Sequence, residues 1–88
     1  MIRSIIIEDE LLAISALKQE LVLHCPEIKV VDTAQNIIDG IKAIEVNKPE
    51  LVFLDIQLSD GLGFEVLQHF YKVKFKVIFK KTIYLLII

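Results

Sequence analysis

The sequence predicts an α/β fold, a doubly wound parallel sheet covered by helices on both faces. Short, strongly apolar segments alternate with segments whose apolar residues recur every three or four positions, in the order β-α-β-α-β-α-β. The first and third of these segments, residues 4–7 and 51–54, are continuous rather than alternating, which is typical of parallel strands buried on both faces. The 88 residues allow one small domain, and a hydrophobic content of 55% excludes intrinsic disorder.

The first β-α unit occupies the first 26 residues. Residues 4–7 form a short strand that is mostly β-branched, and residues 10–23 form an amphipathic helix. The predicted buried stripe of this helix consists of Leu11, Ile14, Leu17 and Leu21. Asp9 is predicted to be the N-cap, because its side chain can accept a hydrogen bond from a free backbone N–H, and Pro26 ends the helix.

The second β-α unit follows directly. Residues 28–34 are predicted to form a strand, and Asn36 is predicted to cap the helix after it. The predicted buried stripe of this helix consists of Ile37, Ile41 and Ile44. Residues 47–49 (Asn-Lys-Pro) end the helix, since proline cannot continue it.

The last part of the chain supplies two further strands. Residues 51–54 form a fully apolar strand that ends at Asp55, and a loop and a short helix follow over 59–70. Residues 76–79 form the fourth strand, with an alternating pattern that extends back to Tyr71.

Composition excludes several classes of protein. Ten basic residues against 12 acidic ones give a net charge of -2, which argues against direct nucleic-acid binding by this chain. The longest apolar run, residues 83–88, is far shorter than the ~20 residues of a membrane span, and no signal peptide precedes the first strand. The single cysteine, Cys25, fits a reducing environment, so a cytoplasmic location is expected.

Acidic residues follow two of the predicted strands. Glu8 and Asp9 come after the first strand, and Asp55 ends the third. Because parallel strands end at the same edge of a sheet, the three carboxylates converge if these strands are neighbours. Carboxylates that lie close together repel unless a cation intervenes, and Mg²⁺ prefers oxygen ligands. The alternative is that they serve as a solvated loop residue, a helix cap and a turn former.

A family resemblance rests on two segments at their proper separation. Residues 5–10 (IIIEDE) and 51–65 (LVFLDIQLSDGLGFE) resemble the receiver domain of two-component response regulators, and the sequence Asp-Ile-Gln at 55–57 most resembles receivers of the LytTR class. The resemblance covers about residues 1–79. It implies a flavodoxin-like receiver fold and a role in phosphorelay signalling, within a transcriptional regulator whose DNA-binding domain is separate.

The resemblance also implies a role for each site residue. Asp55 would be the phospho-acceptor and a metal ligand, Asp9 a direct Mg²⁺ ligand, Glu8 a ligand that acts mainly through water, and Gln57 a ligand through its backbone carbonyl. The phosphoryl donor would be a phosphohistidine on a sensor histidine kinase. The module would not be an enzyme beyond self-directed phosphoryl transfer and autodephosphorylation.

The resemblance ends near residue 79, so residues 1–79 are predicted to be a partial receiver domain and 80–88 an apolar and basic tail outside the family. The fold would then lack its last helix-strand-helix portion, and self-association through the truncated edge is expected. The family's hydroxyl residue after the fourth strand would fall near Lys81, and Lys80 or Lys81 could pair with Asp55. Two other functions stay open: a truncated remnant that cannot switch, and a small metal-dependent phosphatase or phosphotransferase.

Overall fold

A computed structural model describes residues 1–80, which form a central parallel sheet with helices on both faces. The strands of this sheet are β1 (Ile2–Ile7), β2 (Ile28–Ala34), β3 (Leu51–Asp55) and β6 (Lys76–Lys80). The helices are α1 (Leu11–His24), α2 (Ile37–Asn47) and α3 (Phe64–Gln68), and a separate hairpin consists of β4 (Gln57–Leu58) and β5 (Gly61–Leu62). None of the helices within residues 1–80 is long and apolar enough to cross a bilayer.

The sheet order is β2-β1-β3-β6, and every neighbouring pair of strands is parallel. The chain therefore moves from β1 to one side and then to the other, which places a topological switch point between β1 and β3. The predicted doubly wound parallel sheet is confirmed. The first and third strands are neighbours, which is the condition for the three carboxylates to converge, because Ile7 pairs with Leu54.

Two apolar cores cover the two faces of the sheet. Ile5 and Ile7 of β1 pack into the core beneath α2 and α3, and Ile6 between them packs into the core beneath α1. All three side chains are completely buried, which explains the uninterrupted apolar run in this strand. Leu11 was predicted to be buried and is 66% exposed, because α1 begins there and its first turn lies beyond the strand ends.

The two long helices begin differently from one another. The Asn36 prediction is confirmed, since its side-chain oxygen accepts a hydrogen bond from the Asp39 backbone N–H at 2.8 Å. The prediction that Asp9 is the N-cap of α1 is wrong, because Glu10 occupies that position. The Glu10 side chain makes no capping hydrogen bond. The Glu10 N–H instead donates to Oε2 of Glu8 at 3.1 Å. Asp9 therefore does not cap the helix, and its carboxylate lies near those of Glu8 and Asp55.

The segment after β3 is more ordered than the predicted loop. β4 and β5 form an antiparallel hairpin whose two-residue turn is Ser59-Asp60. Both carboxylate oxygens of Asp60 accept from the Ile37 N–H at 3.1 Å, which ties the hairpin to the start of α2. The predicted backward extension of the fourth strand is wrong, since Tyr71 is fully exposed and β6 begins at Lys76.

Candidate functional site

Three carboxylates gather at the carboxyl edge of the sheet, beside the switch point. Glu8 and Asp9 follow β1 directly, and Asp55 is the last residue of β3. One oxygen from each side chain lies within 4.8 Å of an oxygen of the other two. Glu8 and Asp55 are completely buried, and Asp9 is half-buried. The structure therefore brings together all three of the carboxylates that the sequence singled out.

Backbone contacts place these side chains. The Glu8 N–H donates to the Ala34 carbonyl at 2.9 Å, so the chain still follows β2 after β1 has ended. The side-chain amide of Gln35 donates to the Asp9 carbonyl at 3.1 Å. Gln35 was not among the residues predicted for the site, although its position just after β2, at the same edge of the sheet, was a usable signal. Together these contacts hold the acidic turn against the end of the second strand.

Gly63 lets the β4–β5 hairpin return close to Asp55. Its N–H donates to the Ile56 carbonyl at 2.7 Å. A Cβ atom at this position would overlap the backbone carbonyl oxygen of Asp55. The backbone there is in the ordinary helical region, with φ -55°, so the need for glycine comes from close approach of two backbone segments.

Lys80 enters the cluster from the neighbouring strand. It stands opposite Asp55 in the β3–β6 register, and its carbonyl accepts from the Ile56 N–H at 2.9 Å. Its Nζ lies 2.5 Å from Oε1 of Glu8. From the sequence, Lys80 or Lys81 could pair with Asp55; in the structure Lys80 forms an ion pair with Glu8. Lys81 and the rest of 81–88 lie outside the described residues.

The pKa values of Glu8 and Asp9, the two residues that directly follow β1, are shifted in opposite directions. Burial works to raise the pKa of Glu8, but the hydrogen bonds from Lys80 and the Glu10 N–H outweigh it and hold that pKa below its usual value. Burial and the adjacent Glu8 carboxylate raise the pKa of Asp9. Glu8 is thus stabilised in its charged form, whereas the charge on Asp9 lacks such compensation.

The donor set suits a hard divalent cation. All the ligand atoms that the cluster offers are carboxylate oxygens, the class that Mg²⁺ prefers. Oδ1 of Asp9 is buried and accepts no hydrogen bond from the described part of the chain, as expected of an atom placed for a ligand. Gln57 lies beside the cluster, with its N–H 3.4 Å from Oδ1 of Asp55. The metal role of its carbonyl stays a prediction.

Comparison with known proteins identifies the family. Residues 5–80 match the family model described as the response regulator receiver domain. The chain is 38% identical over 74 residues to the sensory transduction protein LytT of Bacillus anthracis, an alignment that covers 84% of this chain and 30% of that protein. The chain thus spans about a third of the length of the curated relatives it matches.

Solved structures agree with this assignment. A DNA-binding response regulator of the LuxR family from Staphylococcus aureus superimposes with a TM-score of 0.79 at 31% identity, over 94% of this chain and 70% of that one. The response regulator domain of Thermotoga maritima CheB gives a TM-score of 0.82 at 24% identity, over 93% and 61% of the two chains, and so supports the flavodoxin-like fold alone. The chain belongs to the response regulator receiver domain family.

Proposed function

We propose that Asp55 accepts a phosphoryl group from a phosphohistidine of a sensor histidine kinase, with Mg²⁺ as the cofactor. The observation that carries the proposal is the approach of Asp55 to Glu8 and Asp9 within 4.8 Å, at the switch point of a receiver fold. Receiver domains of response regulators receive phosphate from histidine kinases and bind Mg²⁺ at an acidic pocket.

The chemistry assigns a role to each residue. A carboxylate oxygen of Asp55 attacks the phosphorus atom, the new O–P bond forms as the P–N bond of the phosphohistidine breaks, and the leaving imidazole takes a proton from solvent. Asp9 and Asp55 are the direct metal ligands, Glu8 acts through water, and the Gln57 carbonyl completes the protein's share. Mg²⁺, when bound, neutralises charge on the transferred oxygens.

Glu8 is assigned the indirect role because both of its oxygens already accept hydrogen bonds. Oε1 is paired with the Lys80 ammonium, and Oε2 accepts from the Glu10 N–H. Asp9, by contrast, has a buried oxygen without a hydrogen-bond partner among residues 1–80. This difference supports Asp9 over Glu8 as the residue that contacts the metal itself.

The relatives support a proposal for the wider role. One of them is named a sensory transduction protein, and the chain aligns with 30% of it. We propose that this receiver regulates a LytTR-type transcriptional output in the cytoplasm, without contacting nucleic acid itself. Phosphoryl chemistry would be limited to self-directed transfer and autodephosphorylation. Nothing in the comparisons or in residues 1–80 favours the alternative of a remnant that cannot switch.

Phosphorylation of the intact chain tests the proposal. The protein is incubated with Mg²⁺ and acetyl phosphate, and the bound phosphoryl group is located by mass spectrometry. We expect one acid-stable, base-labile phosphoryl group on Asp55. It should not form when EDTA is added before acetyl phosphate, and it should be absent in Asp55→Asn. Asp60→Asn is the matched control, because Asp60 is an exposed aspartate whose amide counterpart can still accept from the Ile37 N–H.

Two results would contradict the proposal. An Asp55→Asn variant that is labelled as fully as the wild type would remove Asp55 as the acceptor. Many turnovers of acetyl phosphate per protein molecule, with no phosphorylated protein detected, would indicate the metal-dependent phosphatase instead.

A further inference from the structure

We propose that Lys80 is a built-in counter-cation of the acidic cluster, which stabilises the metal-free protein and lowers the affinity of the site for a divalent cation. This inference rests on the proposed function, because it concerns the same site. It assigns to Lys80 a regulatory effect on metal binding rather than a role in the phosphoryl transfer itself.

The first support is the contact between Lys80 and Glu8. The ammonium nitrogen lies 2.5 Å from a carboxylate that is completely buried, while the lysine side chain is 25% exposed. A buried carboxylate is strongly destabilising unless it is paired and hydrogen-bonded. Glu8 achieves this entirely with protein donors, through Lys80 on one oxygen and the Glu10 N–H on the other.

The second support is the rigid placement of Lys80 by the sheet. It pairs in register with Asp55, and its carbonyl accepts from the Ile56 N–H at 2.9 Å. The backbone of Lys80 is therefore held beside the cluster, and only its side chain needs to move when a cation arrives. The partial exposure of that side chain gives the ammonium a path to solvent.

Charge determines the direction of the effect. Three carboxylates lie within 4.8 Å of one another, and Lys80 offsets one of the three negative charges. An incoming divalent cation meets a weaker negative potential and a positive charge close by. At an effective dielectric constant of about 20, removal of one such charge a few Å away changes a binding constant by at least about tenfold.

The test compares Mg²⁺ binding by variants of the full chain, using isothermal titration calorimetry with MgCl₂. Lys80→Gln removes the charge, and Lys80→Arg keeps it. Lys76→Gln is the matched control, because this substitution makes the same chemical change at the opposite, exposed end of the same strand. We expect Lys80→Gln to bind Mg²⁺ at least about tenfold more tightly than the wild type. The dissociation constants of Lys80→Arg and Lys76→Gln should lie within about threefold of the wild-type value.

Thermal unfolding supplies a second measurement. In EDTA, we expect the melting temperature of Lys80→Gln to lie more than about 10 °C below that of Lys76→Gln, because Glu8 loses its partner. Added Mg²⁺ should then raise the melting temperature of Lys80→Gln more than that of the wild type. If Lys80→Gln is unfolded in EDTA, Mg²⁺ should restore its folded state, and failure to do so would overturn the inference.

The outcomes separate this inference from the proposed function. Equal Mg²⁺ affinity of Lys80→Gln and wild type would refute the effect of Lys80 and leave the metal site standing. Weaker binding by Lys80→Gln would show that Lys80 helps to hold the metal, which also refutes the inference. Absence of Mg²⁺ binding by every variant would overturn the proposed metal site itself, and the inference with it.

Discussion

Gly63→Ala is the substitution whose consequence follows most directly from the backbone around the site. The added Cβ would overlap the Asp55 carbonyl oxygen, which belongs to the end of a central strand and cannot rotate away as a side chain can. Relief requires the hairpin to move, and this movement weakens the bond from the Gly63 N–H to the Ile56 carbonyl. Asp55 would shift relative to Glu8 and Asp9.

The magnitude combines two effects. Overpacking of a well-packed region costs about 1–3 kcal/mol, and loss of a buried backbone hydrogen bond costs about 1–3 kcal/mol more. We therefore expect Gly63→Ala to lower the free energy of unfolding by about 2–6 kcal/mol. A domain of this size is stable by only about 5–15 kcal/mol, so the loss is a large fraction of the total.

Gly40→Ala is the matched control. It is also a helical-region glycine near the site, but its added Cβ would meet only the side chain of Ile7, with the nearest atom, Cδ1, at 2.8 Å. A side chain can shift, and replacing a mid-helix glycine by alanine gains up to about 1 kcal/mol in helix propensity. We therefore expect Gly40→Ala to lower the free energy of unfolding by about 2 kcal/mol less than Gly63→Ala does.

Urea denaturation followed by circular dichroism measures both variants, and acetyl phosphate labelling reports on Asp55. We expect Gly63→Ala to reduce labelling as well as stability, whereas Gly40→Ala keeps labelling close to the wild-type level. The steric reasoning would be refuted by a Gly63→Ala protein within about 0.5 kcal/mol of the wild type, or by a larger loss for Gly40→Ala.

Two further predictions follow from burial and from linkage. Leu54→Ala, at a completely buried position of β3, should lower the free energy of unfolding in urea by about 2–5 kcal/mol, whereas Leu12→Ala, at a position 85% exposed, should change it by less than about 0.5 kcal/mol; equal effects would contradict the assigned core. Mg²⁺ at 100 times its dissociation constant should stabilise the wild-type protein by about 2.7 kcal/mol, because only the folded state gathers the cluster, and Asp9→Asn should lose most of this gain. Equal stabilisation of the wild type and Asp9→Asn by Mg²⁺ would exclude Asp9 as a ligand. Differential scanning fluorimetry in MgCl₂ and in EDTA measures the Mg²⁺ effect on the two proteins.

Local patterns were sufficient for most of the secondary structure. The strand that begins at Leu51 and the Asn36 cap agree with the structure, because continuous apolar runs and capping side chains act within a few residues of the chain. The position of Asp55 at a strand end was readable in the same way. The exposure of Leu11 was not, since burial of a helix residue depends on where the sheet beneath it ends.

The sequence by itself determined that acidic side chains follow two strands of a parallel sheet, because strand ends are readable from local patterns and alternating strands and helices run parallel. That these two strands are neighbours was decided by the tertiary structure. Only the tertiary structure decided which groups touch. Lys80 and Glu8 are 72 residues apart, and their contact depends on the register between β3 and β6, which no local pattern records. The close approach of Gly63 to the Asp55 carbonyl likewise exists only once the hairpin has folded back. Spacing along a chain encodes local structure, whereas a charge pair across a sheet depends on how whole strands align.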